Sequence, residues 1–61
     1  MSYVDHIYQI VEFNAEGIDA IYEDYILHLV GVEGLRVLKE NKLLETCGVV
    51  NGKQLYTLVA R

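Results

Sequence analysis

The single cysteine, Cys47, most constrains what this chain can fold into, because it removes covalent support from only 61 residues. One Cys forms no internal disulfide, and a four-cysteine zinc site is excluded with it. No ligand set for another structural metal stands out, and no cofactor is expected. A chain this short is a single domain, residues 1–61, and buries only about 60% of the surface its unfolded form exposes. Yet 52% of its residues are hydrophobic, above the usual ~45–50%. Small domains without staples commonly take cover from a partner chain, so a homodimer or higher homo-oligomer is expected. No apolar run reaches the ~18 residues of a spanning helix. Asp5 and His6 interrupt the N-terminal stretch where a signal peptide is apolar. A cytoplasmic protein that does not enter membranes is the corresponding expectation.

Three segments follow along the chain. Tyr3–Phe13 is rich in Val, Ile, Tyr and Phe, which favour strands. Read as a strand, it carries large apolar groups on both faces, with Tyr3 and Tyr8 on opposite sides. Such a strand is covered twice, and its length suits pairing with a copy of itself at a sheet edge. Val4, Ile7, Ile10, Val11 and Phe13 are the candidate self-association residues. A helix is then predicted from an Asn14 N-cap, with Glu16 and Asp19 near its positive end. Its inward stripe is Ile18, Ile21, Tyr22, Tyr25, Ile26, Leu29 and Val30, at helical spacing. Gly31 ends it as a C′ residue, and a second helix runs from Glu33 to about Asn41 with Leu35 and Leu38 inward. Leu43–Ala60 reads as a hairpin around Asn51-Gly52, the pair a type I′ turn favours. A regular ladder pairs Val50 with Lys53, Gly48 with Leu55, Cys47 with Tyr56, Thr46 with Thr57, Glu45 with Leu58 and Leu44 with Val59. The expected fold class is α+β, ordered β-α-α-β-β with an antiparallel sheet.

Charge is segregated. Residues 1–33 hold no Lys or Arg and seven acids: Asp5, Glu12, Glu16, Asp19, Glu23, Asp24 and Glu33. Residues 34–61 hold five cations against Glu40 and Glu45, so the halves stand at −7 and +3 within a net −4. Phosphates are repelled by the first half, which disfavours general nucleic-acid binding. Catalytic signals are sparse. His6, His28 and Asp24 are a thin metal set. Cys47 lies mid-strand, where a thiol usually serves as a small buried hydrophobe. Asp19, Glu23 and Asp24 have little chain around them to exclude water. No P-loop, G-x-G-x-x-G, H-E-x-x-H or G-x-S-x-G occurs. No enzymatic activity is expected.

The stretch VLKENKLLETCGVVNGKQLYTLVA, Val37 to Ala60, resembles the end of a winged-helix domain, where a helix passes through a Leu-Leu step into a two-stranded wing. The resemblance implies a DNA-binding transcriptional regulator whose positions matching Arg36, Lys39 and Lys53 meet DNA. The charge and composition point instead to a non-catalytic regulator or inhibitor that binds a protein with a basic groove. Glu16, Asp19, Glu23 and Asp24 are its candidate contact residues, with Tyr3 and Tyr8 as anchors, since Tyr is favoured at hot spots. In size and acidity the chain is similar to small inhibitors that phages encode against host enzymes or defence systems, a likeness of class rather than of motif.

Overall fold

A computed structural model describes residues 2–60. The order is α1 (Tyr3–Asn14), β1 (Ile21–Tyr22), α2 (Glu23–Glu40), β2 (Leu44–Val50) and β3 (Lys53–Leu58). The three strands form one antiparallel sheet in the order β1-β3-β2. The α+β class, the antiparallel sheet and the C-terminal hairpin stand. The expected β-α-α-β-β order does not, because the first element is a helix.

Tyr3–Phe13 satisfies two patterns at once. Its residue types favour a strand, but Val4, Ile7, Tyr8, Val11 and Ala15 also fall at i, i+3, i+4, i+7 spacing. Helical spacing wins because it gathers Ile7, Tyr8, Val11 and Ala15 into one buried stripe. Ser2 caps the helix, its hydroxyl accepting from the Asp5 N–H at 3.1 Å. Asp5 occupies the first turn, where the helix dipole favours a carboxylate. Asn14 is therefore the last residue of α1 and no N-cap; its side chain donates to the Ile10 carbonyl at 2.8 Å. The chain then turns through Gly17, at φ +81°, into β1.

The helix expected to start after Asn14 starts at Glu23 instead. Glu23 and Asp24 take its first turn. Gly31 breaks it where the sequence places a C′ glycine, at φ +76°, ψ 178°. The second half follows at once and buries Leu35 and Leu38 as expected. Its end departs from expectation: Asn41 keeps a negative φ, and Lys42 takes the left-handed conformation at φ +59°. The Leu43 N–H donates to the Leu38 carbonyl at 2.9 Å and the Lys42 N–H to that of Lys39 at 3.0 Å. That pair of bonds is a Schellman motif.

The hairpin turns at Asn51 and Gly52, at φ +52° and +77°, as a type I′ turn requires. Val50 pairs with Lys53 and Gly48 with Leu55 as expected. Beyond Gly48 the ladder slips by one: Thr46 faces Tyr56, Glu45 faces Thr57, and Leu44 faces Leu58. Cys47 is the extra residue of a β-bulge, beside Gly48 at φ +149°. It is exposed, not the buried hydrophobe the sequence suggested. The slip lets Leu44 and Tyr56 share the core with Ile21, Ile26, Leu35, Leu38 and the α1 stripe.

A first helix, a short strand, a helical pair broken at Gly31 and a hairpin thus make up the described residues. No helix among the described residues is long and apolar enough to cross a membrane.

Candidate functional site

The charge pattern of α2 and the hairpin sets what this face can bind. On the second half of α2, Arg36 lies between Glu33 and Glu40, one turn to either side at i−3 and i+4. Its guanidinium donates to both Glu33 carboxylate oxygens and, at 2.9 Å, to Glu40. Hydrogen bonding and charge from Glu33, then the charge of Glu40, hold Arg36 above its ordinary pKa. Lys53, next to the hairpin turn, sits 3.2 Å from the Asp24 carboxylate and 6.0 Å from the Tyr22 ring centroid. Lys39 lies 5.7 Å from the Tyr56 centroid, within cation–π range. Three of the face's cations are thus engaged within the chain itself.

Beside this face lies an apolar patch. Ile18, Ala20, Ile21, Tyr22 and Tyr25 line an open depression of about 360 Å³. Ile18, Tyr22 and Tyr25 are exposed there, Ile18 by 52%. Asp19 and Asp24 are exposed neighbours in the chain. The sequence placed Ile18, Tyr22 and Tyr25 on an inward stripe; they face outward because Ile18 lies in the loop and Tyr22 precedes the helix. Gly17, a breaker three residues after Asn14, was the local signal for that loop.

A second depression runs along the outer side of α1. Its volume is about 640 Å³, and His6, Gln9, Ile10, Glu12, Phe13, Asn14 and Glu16 line it. Phe13 is 78% exposed. Val32, Val49 and Val50 are further exposed apolar residues on the second half of α2 and the hairpin tip.

The expected contact residues separate. Glu16 and Asp19 are exposed in the loop after α1, whereas Glu23 and Asp24 begin α2, so the four share no helix face. Glu23 is half-buried and accepts from the Tyr56 hydroxyl at 3.4 Å. Tyr3 is exposed. Tyr8 is buried, its hydroxyl donating to the Val59 carbonyl at 2.9 Å, and so fails as a surface anchor. Of the self-association set, Ile7 and Val11 fill the chain's own core, Val4 and Ile10 are half-buried, and Phe13 is exposed. Among the described residues, no group of three or more His, Cys, Asp and Glu side chains gathers as a metal site. Comparison of the chain with protein-family models, curated proteins and solved structures finds no match.

Proposed function

We propose that the chain is a small non-catalytic regulator that binds another protein and acts by covering part of it, as an inhibitor does. The observation that carries this reading is the pairing of Arg36 with Glu33 and Glu40 and of Lys53 with Asp24. A phosphate backbone gains its affinity by releasing counterions from DNA onto free cations. The neighbouring carboxylates lower the net positive potential that these exposed cations present to a phosphate. The exposed Ile18, Tyr22 and Tyr25 supply what a protein partner uses instead, aromatic area at a rim of charge. The likeness in class to small acidic phage inhibitors is compatible with this reading. Ile7 and Val11 lie inside the chain's own core and are not available as self-association contacts; the homo-oligomer stays part of the proposal, supported by the apolar content of so short a chain.

Affinity capture from the native host, with the full chain as bait, tests it. One dominant protein is expected, and its recovery should fall with Glu16→Lys plus Asp19→Lys. Those loop positions are preferable to Glu23 and Asp24, which are tied to Tyr56 and Lys53. Capture that is indifferent to both changes and to Tyr25→Ala would sink the assignment of this face.

The element order favours a second reading, a winged-helix-like DNA-binding regulator using Arg36, Lys39 and Lys53. It requires duplex DNA to bind at low salt, with log affinity falling linearly in log salt. The absence of any complex at ~20 mM salt would remove it.

A further inference from the structure

We propose that β2 is the self-association surface: two copies pair their β2 strands antiparallel about a two-fold axis, joining two three-stranded sheets into one. The inference rests on the homo-oligomer within the reading above and names its interface. In the order β1-β3-β2, β2 is a sheet edge. The opposite edge, β1, has two residues, whereas β2 has seven, and Glu45 to Val50 are all exposed. Natural edges are kept from pairing by Lys, Pro or shortness. β2 has one charge, Glu45, and neither Lys nor Pro. The bulge selects the occupant. Gln54, Tyr56 and Leu58 share a face of β3, so their partners Val49, Thr46 and Leu44 share it too. The Val59 N–H donates to the Leu43 carbonyl, so Leu43 turns its polar groups toward β3 and Leu44 turns them outward. At the other end Val50 and Lys53 close the two-residue turn, so the polar groups of Val49 also face outward. Leu44 and Val49 thus agree in sheet face and in hydrogen-bond direction. In an unbulged strand they would differ in both, because their separation is odd. With Leu44 opposite the partner's Val49, a second β2 fits without skipping a residue. Thr46 then meets the partner's Cys47, and Glu45 meets the partner's Gly48, away from its own like charge. A strand without the extra residue leaves Cys47 unpaired, as β3 does. Pairing at this edge keeps Ile18, Tyr22 and Tyr25, beside the β1 edge, open to another protein.

Sedimentation of the full chain tests it, with the single Cys47 as reporter. A species of about twice the 7.0 kDa chain mass is expected at micromolar concentration. A short bis-maleimide should join the two Cys47 thiols, which flank the two-fold axis. Each thiol adds across one maleimide double bond, and nothing is oxidised. Amide exchange at Leu44 and Val49 should slow as the protein concentration rises. Val49→Lys should return the mass to that of one chain and abolish the cross-link, while Phe13→Ala and Ile18→Ser leave both unchanged. Val49 is 64% exposed, so the variant should keep its dispersed amide signals; if it unfolds, the exchange of the wild-type chain decides. A single-chain mass at every concentration would overturn the proposal. So would a double mass that survives Val49→Lys and falls with Phe13→Ala or Ile18→Ser. Slowed exchange at Leu44 and Val49 only when a captured host protein is added would overturn it too, since the occupant would then be a strand of that protein. The two readings fail separately. If the wild-type chain is a monomer yet captures a host protein, the edge pairing is refuted and the regulator reading stands. If the Val49-dependent dimer forms and no protein is captured, the pairing stands and the regulator reading fails.

Discussion

At Gly34 a single hydrogen decides how closely successive turns of α2 pack across the break at Gly31. A Cβ there would stand 2.5 Å from Val30 Cβ and 2.7 Å from Val30 Cγ2, with Ile7 Cγ2 at 3.6 Å. Val30 Cβ is fixed to its backbone and cannot swing aside. Gly34→Ala is therefore expected to destabilise the fold by about 1–3 kcal/mol, the range for overpacking, despite the better helix propensity of Ala. A lowered urea midpoint with an unchanged slope would show it. Lys42 poses the opposite case. It holds a left-handed conformation at φ +59° that is costly for any residue with a Cβ. Lys42→Gly should raise stability by up to about 1 kcal/mol, once the extra freedom of Gly in the unfolded chain is counted. Thermal melts of the two proteins, read side by side, check the sign.

Two elements owe their shape to one residue each. Gly31 divides α2 with a φ, ψ pair, +76° and 178°, that is essentially reserved for glycine. A Cβ there meets nothing within 4 Å, so the expected loss of about 1–3 kcal/mol for Gly31→Ala is backbone strain alone. Circular dichroism should show whether the two halves of α2 straighten or the domain unfolds. In the hairpin, the bulge at Cys47 turns Leu44 toward the core and leaves the thiol outside. Cys47 should react stoichiometrically with a disulfide reagent in the native protein, without denaturant. Protection until unfolding would mean that the bulge is misplaced.

The whole molecule has an accessible surface of 4081 Å², close to the ~4,000 Å² that size scaling gives a compact monomer of this mass. Its ten-residue core is led by Ile26, Leu38 and Val11, which are fully buried. A domain this small rarely has more than about 3–5 kcal/mol to lose. Truncating Ile26 typically costs about 2–5 kcal/mol, so Ile26→Ala is expected to be largely unfolded at 37 °C. Dispersed amide signals retained by that variant would point to support from outside the core described here.

The sequence by itself determined the local features whose physics involves only neighbours. Asn51-Gly52 specified its turn because both positions take positive φ. Gly31 marked a helix end, Leu35 and Leu38 marked an inward stripe, and the lone Cys47 excluded a disulfide. Tertiary structure decided what depended on distant partners. Tyr3–Asn14 became a helix because one stripe of it could close over α2 and the sheet, which outweighs strand propensity. Ile18, Tyr22 and Tyr25 moved from an expected core to the surface once Ile21 was drawn into pairing with Tyr56. The bulge at Cys47 arose because the hairpin had to bring Leu44 and Tyr56 to the same core. Of the expected contact residues, Glu16, Asp19 and Asp24 stayed at the surface while Tyr8 did not. Charge resists burial on its own, whereas a tyrosine follows whichever face the packing closes.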